Sequence, residues 1–251
     1  MEKYLFLTLI FAVFYILFVV FVRIDIKEYP EIIVGSVFFF TFFSGFFIAR
    51  QSDRFSRVQE VIASTDGMFS YLYRISGLVP RIQGETREII REHYKKIEES
   101  NNWAYHILNP SITITNLTKT FGKVTPEEAS SPVVAQAFQV IWIALSQLQE
   151  LRKKMIILYH QKLLLFQWII IYILAGLFVF SFNLLPSNSF LVDFLKVVFG
   201  ITVFLCIILL KQLNDLAIFG KDFAKRTARD IFRILDEKDI EEIKKFLTGR
   251  D

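Results

Sequence analysis

The residues best able to do chemistry are few and scattered. The chain has three histidines and one cysteine in 251 residues. His93 has glutamates nearby at Glu88, Glu92 and Glu98, but a lone imidazole without an HExxH pair does not make a metal site. His106 and His160 lack even those neighbours. Cys206 sits in an apolar window, so no disulfide or thiolate framework exists, and it reads as a small hydrophobe. There is no nucleophile elbow, P-loop or glycine-rich phosphate cradle. The carboxylates are spread over solvated helix faces. Nothing nominates a catalytic group or a cofactor, so the expectation is a protein that is not an enzyme.

A different chemistry is written between Ile32 and Ala49, where no residue is charged (IIVGSVFFFTFFSGFFIA). Gly35, Ser36, Thr41, Ser44, Gly45 and Ala49 are interleaved with phenylalanines, and Thr41, Gly45, Ala49 and Ser52 recur at steps of four, four and three. Small residues at that spacing let helices approach closely. The same residues can instead line a cavity, where hydroxyls meet water and rings of Phe form a constriction that gates by dewetting. Both readings stay open at this level.

The elements that must position this stretch follow from composition. Hydrophobic residues make up 53% of the chain while charged residues still reach 22%, so the two must be segregated. Four windows hold the apolar excess: Tyr4 to Val22, Ile32 to Ala49, Leu163 to Leu185, and Phe190 to Leu210. Each can cross a hydrocarbon core of about 30 Å, which takes about 20 helical residues. The first is an anchor rather than a cleaved signal, because its n-region is poor in bases and no small-x-small pattern follows it.

The net charge of +4 does not point to nucleic acid, because the bases crowd the window boundaries. Arg50, Arg54 and Arg57 follow the second window, Arg152, Lys153, Lys154 and Lys162 precede the third, and Lys211, Lys221, Lys225 and Arg226 follow the fourth. The positive-inside rule then places the N-terminus, the middle of the chain and the C-terminal tail in the cytoplasm of a multi-pass plasma-membrane protein. Four segments result: membrane helices in 1–49, a cytoplasmic helical domain in 50–162, membrane helices in 163–210, and cytoplasmic C-terminal helices in 211–251.

Between the spans the periodicity is helical. From Arg50 the second span continues as an amphipathic helix (Phe55, Val58, Val61, Ile62, Met68, Phe69, Leu72), stopped by Gly77 and Pro80. Gly67 within it marks a kink or a close crossing. Gly84 to Ser100 reads as a short charged helix with a solvated face. Asn101 to Ser131 reads as a loop with a hint of strand at Ile112 and Ile114. Ser131-Pro132 opens a further helix, Ser as cap and Pro at its first position, which is expected to run unbroken into the third span. In the fourth span Asp193 and Lys196 lie three apart near the outer interface, where a snorkelling pair is cheaper than a role in an ion pathway. The tail reads as an amphipathic basic helix and a charged end helix.

Two spans, a helical middle, two more spans and a tail form an arrangement that resembles the bestrophin-like membrane proteins, prokaryotic relatives of the bestrophin anion channels. The likeness rests on Glu60-Val61-Ile62-Ala63 leading to Leu72-Tyr73-Arg74 and Pro80, on Leu151-Arg152-Lys153-Lys154 before the third span, and on Leu213-Asn214-Asp215 followed by Ile218-Phe219-Gly220. It covers most of residues 30 to 235. It implies an all-α integral membrane fold, a homo-pentamer in the lipid bilayer, inorganic ions as what passes through it, and a second span that lines a narrow hydrophobic neck. Placing Arg50 on the arginine that ends the corresponding span sets the neck at Val34, Phe38 and Phe42, with Thr41, Ser44, Arg50 and Ser52 along the wall or mouth. Calcium gating is not implied, because Lys221-Asp222-Phe223 offers one acid where a site of six to eight oxygens needs several.

The expectation is therefore an oligomeric channel in which the Val34, Phe38, Phe42 face lines the neck while the Thr41, Gly45, Ala49 face packs against neighbouring helices. A non-conducting scaffold or adaptor, binding a partner through its cytoplasmic helices and residues 101–131, is the alternative.

Overall fold

The computed structural model describes residues 30–100, 104–105, 110–125, 131–185 and 189–236. The first apolar window, the turn at Pro186-Ser187-Asn188 and the charged end helix beyond Asp236 lie outside the described residues. Every regular element among the described residues is a helix: α1 (Pro30–Ser76), α2 (Pro80–Ser100), α3 (Pro110–Phe121), α4 (Pro132–His160), α5 (Leu165–Asn183), α6 (Phe190–Asn214), a 3₁₀ turn (Ala217–Phe219) and α7 (Gly220–Asp236). Three of them, α1, α5 and α6, are long and apolar enough to cross a membrane, the pattern of a membrane protein.

The chain divides into two compact units, Met1–Phe55 with Lys162–Ile218 and Ser56–Gln161 with Phe219–Asp251. Residues 50–55 and 211–218 thus go with the apolar helices. In the first unit the core is aromatic and aliphatic. Phe40, Ala175, Phe178 and Val203 form one cluster, with Cys206 partly buried against it, and Phe47, Leu163, Ile171 and Leu210 form another.

The second unit is built as a water-soluble helical bundle is, around one continuous core. Phe69, Leu72 and Tyr73 of α1, Ile82, Ile90, Tyr94 and Ile97 of α2, Ile114, Leu117 and Phe121 of α3, Ile141, Ala144, Leu145 and Leu148 of α4, and Ala224, Ala228, Ile231 and Leu235 of α7 all belong to it. Their spacing at three and four residues puts each set on one helix face.

The structure corrects the expectation in five places. First, α2 begins at Pro80 rather than Gly84 and is a core helix that buries Ile82, Thr86, Ile90, His93, Tyr94 and Ile97, while its charged residues are exposed or half-buried, as expected of a solvated face. Second, the segment expected to be a loop with a hint of strand contains α3. Thr113, Ile114, Leu117, Thr120 and Phe121 share its buried face, and this burial outweighs the β-preference of Thr and Ile. The hydroxyls of Thr115 and Thr118 donate to the carbonyls of Ser111 and Ile114, one helical turn back.

Third, α4 does not continue into α5: residues 161–164 are non-helical. The backbone N–H groups that a helix would have aimed at its own carbonyls are taken elsewhere. Leu163 donates to the Asn214 side-chain oxygen at 2.7 Å and Leu164 to the Gln167 side-chain oxygen at 2.9 Å. Fourth, Ser131 precedes α4 and Pro132 opens it, but the Ser131 hydroxyl makes no capping bond. Fifth, among the described residues nothing lies within 4 Å of where a Cβ on Gly67 would sit, so none of them crosses α1 closely there.

Candidate pore-lining helix face

The site is best built from the two sides of α1 in the first unit. Its inward side is Ser36, Phe40, Ser44, Phe47, Gln51 and Arg54, all buried. Advancing by four, four, three, four and three residues keeps side chains on one face of a 3.6-residue helix. Phe40 meets Phe178 with ring centroids 5.1 Å apart. The two serines are satisfied within the helix, Ser36 donating to the Ile33 carbonyl and Ser44 to that of Phe40.

Shifting every one of those positions back by two residues gives the outward side: Val34, Phe38, Phe42, Gly45, Ala49 and Ser52. Two residues turn an α-helix by roughly 200°, so this stripe lies opposite the buried one. All six are uncovered, Val34 at 68%, Phe38 at 61% and Phe42 at 59% exposure, and Gly45, Ala49 and Ser52 likewise exposed. Phe38 and Phe42 stack, with near-parallel rings and centroids 6.1 Å apart. Among the described residues, a Cβ added at Gly45 would meet nothing within 4 Å.

This geometry redraws the expected site. The Val34, Phe38, Phe42 face and the Thr41, Gly45, Ala49 face are one face, because Phe38 to Thr41 and Phe42 to Gly45 are steps of three. Its first half is bulky and apolar, and its second half is small and weakly polar. Thr41 flanks the stripe and is exposed, whereas Ser44 is only 8% exposed and is turned into the chain's own core. Arg50 and Arg57 are exposed, but each lies one residue beyond a stripe position or its continuation, roughly 100° round the helix.

Arg54 is the residue whose placement the sequence concealed. Grouped by sequence with two surface arginines, it is 4% exposed. Its Nη1 donates to the Gln51 side-chain oxygen and to the Asn214 carbonyl, each at 2.9 Å. The Asn214 side chain accepts from Leu163 and donates to Asp215 at 3.2 Å. One asparagine thus ties the end of α6 to α1 and to the start of α5. The exit turn behind it holds Leu216 at φ 54° with its side chain buried, a left-handed conformation that an L residue adopts at a cost of roughly 1–2 kcal/mol. The only sign of this knot in the sequence is an Arg five residues past one apolar window and an Asn four residues past another.

Near the other end of α6, Lys196 is 3% exposed and its ammonium donates to the Leu185 carbonyl. That carbonyl lies just past the C-terminus of α5, where a cation is favoured. In the second unit His93 is buried, its Nδ1 2.9 Å from the Thr113 hydroxyl and its ring against Phe69, Tyr94 and Tyr105. It is a satisfied core histidine. No family model, curated protein or solved structure matches the chain.

Proposed function

We propose that the protein is a homo-oligomeric ion channel of the multi-pass plasma-membrane type, in which copies of α1 surround an axis and turn the Val34-to-Ser52 stripe toward it. One observation carries this reading. The uncovered stripe of α1 is graded from Phe38 and Phe42 to Gly45, Ala49 and Ser52, whereas the uncovered faces of α5 and α6 are apolar almost throughout. A face meant only for lipid has no use for the second half of that gradient.

In this arrangement the stacked Phe38 and Phe42 rings form the neck, which excludes water while closed, and the small half of the stripe gives the wider part of the wall. Thr41 lies at the edge of the wall. Arg50 and Arg57 lie beside the stripe at the basic end of the span, the end that faces the cytoplasm under the positive-inside rule. Five copies, as in the bestrophin-like proteins that the sequence resembles, is the number we propose. We propose no catalytic role.

Purified protein in planar bilayers tests the reading. Wild type is expected to pass a small current that rises several-fold in Phe38→Ala and Phe42→Ala. Absence of current in any monovalent salt, or currents unchanged by both substitutions, would contradict it.

A partner-binding adaptor is favoured by one separate feature. The first half of the exposed face of α4 carries Val133, Gln136, Gln139, Trp142, Ile143 and Ser146 without a charge, before Glu150, Lys153 and Lys154, unlike the charged outer faces of α2 and α7. A charge-poor face with an aromatic is the composition of an interface core. Deleting residues 101–131 would not test this, because it removes Leu117 and Phe121 from the core. Trp142→Ala is the informative change, and loss of a bound partner with full conductance would favour the adaptor.

A further inference from the structure

The last two turns of α4 carry bases that no acid of the chain answers. Glu150 is taken by Lys154 at 2.8 Å, and no acidic residue follows it until Asp193. Neither Arg152 nor Lys153 has an ion-pair or side-chain hydrogen-bond partner among the described residues. Elsewhere in the second unit Lys95, Lys96, Lys123, Arg87 and Arg91 each meet a carboxylate. Arg152 is half-buried, and its Nε is shut off from water without an acceptor. A guanidinium partly withdrawn from water with no counter-charge is unfavourable, and an anion at its open edge offsets that deficit.

The adjoining face adds an apolar contact. Lys153, Ile157 and His160 advance by four and three residues, which keeps them on one side of the helix. All three are exposed, Ile157 at 58%. Only residues 161–164 separate this end of α4 from α5, one of the helices long and apolar enough to cross a membrane. Followed along the chain toward α5, the order is bases first, then an isoleucine one turn further on. A phospholipid at a membrane surface presents its groups in the same order, phosphate outermost and hydrocarbon beneath.

We propose that the last two turns of α4 bind an anionic phospholipid, with Arg152 and Lys153 holding the headgroup phosphate and Ile157 meeting the glycerol and the upper acyl chain. Arginine supplies a planar donor edge and lysine a mobile point charge, and both suit phosphate oxygens. Each basic residue held near anionic lipid strengthens the attraction, and the effect fades within a Debye length. The site needs no conduction and no second copy of the chain, so it stands apart from the channel reading.

Binding of phosphatidylglycerol and phosphatidylcholine with matched acyl chains to the full-length protein in neutral detergent, counted by native mass spectrometry, tests the site. Wild type is expected to retain phosphatidylglycerol in preference to phosphatidylcholine. Arg152→Gln combined with Lys153→Gln weakens phosphatidylglycerol binding roughly tenfold and leaves phosphatidylcholine unchanged. Ile157→Ser weakens both lipids about threefold, because it removes apolar contact without touching charge. Arg226→Gln combined with Arg229→Gln makes the same change in net charge at two exposed bases of α7 and leaves binding near wild type. Equal retention of the two lipids by wild type, unchanged binding in the Arg152 and Lys153 variant, or equal weakening in the α7 variant would overturn the proposal. Displacement of the lipid by inorganic phosphate at equal concentration would also overturn it, since that marks a site for a free oxyanion. If the double variant does not fold, Lys153→Gln at its exposed position decides the matter: weakened phosphatidylglycerol binding supports the site, and unchanged binding contradicts it.

Discussion

The outward faces of α1 and α5 present the same problem in two forms. Both helices bury one side in the first unit and leave the other uncovered. On α5 the uncovered residues include Leu165, Phe166, Ile169, Ile173, Leu177 and Phe180, with Tyr172 and a single Gly176 among them, a surface that is large and apolar along nearly its whole length. On α1 the first half is as greasy, but the second half offers Gly45, Ala49 and Ser52. Lipid gains little from meeting a backbone thinly covered by small side chains, while another helix or a water column gains access. Two exposed faces of a membrane protein are therefore not equivalent, and side-chain size along the stripe separates them where hydropathy does not.

The largest effect expected from this difference is on assembly. Gly45→Leu adds a side chain where the single chain has open space, so a monomer would tolerate it, and replacing Gly in a helix even favours folding by about 0.5–1 kcal/mol. If copies meet along this stripe, the oligomer is expected to fall apart or fail to form, seen as a smaller particle by light scattering in detergent. Leu177→Ala on the α5 face is expected to leave the particle size unchanged. A stable, full-sized Gly45→Leu oligomer would erase the distinction between the faces.

Next in size is the polar knot behind the α1 face. Asn214→Ala leaves the buried Leu163 N–H without its acceptor, a loss of about 1–3 kcal/mol, read as a lowered melting temperature. Arg54→Ala removes two charge-assisted bonds and is expected to cost about 2–3 kcal/mol. Arg50→Ala, an exposed position only four residues away, is expected to stay within about 0.5 kcal/mol. Equal effects at Arg50 and Arg54 would contradict the assignment of one to the surface and the other to the core. Smallest is Trp142→Ala on the exposed face of α4, expected to leave stability and conductance near wild type.

How much of this was legible in the sequence differs between the two units. The membrane helices announce themselves, because an uncharged run of Phe, Ile, Leu and Val has only one way to satisfy its backbone in lipid. The end of α1 at Ser76 is likewise written in Gly77 and Pro80. The break at 161–164 was not readable, since it depends on Asn214, fifty-one residues away from its partner Leu163, and the helical pattern on either side is uninterrupted. The role of α2 was obscured by density of charge: Ile90, Tyr94 and Ile97 are spaced for burial, but charged residues surround them in the sequence. The stripe on α1 is present in full in the sequence, but its steps alternate between four and three, so neither spacing followed alone joins its two halves. Arg54 is indistinguishable from Arg50 and Arg57 in sequence, and only the Asn214 carbonyl that accepts from it sets it apart.

The most direct test of the central claim is the effect of a membrane-impermeant thiol reagent on current. Single cysteines would be placed in a Cys206→Ser background at positions 38, 42, 45 and 49 of α1, and at 166, 173 and 180 of α5. If the α1 stripe lines the conduction path, charged reagent reduces or blocks current at the α1 positions and leaves the α5 positions unaffected. Current that is unaffected at all four α1 positions, or altered equally at the α5 positions, would contradict the account.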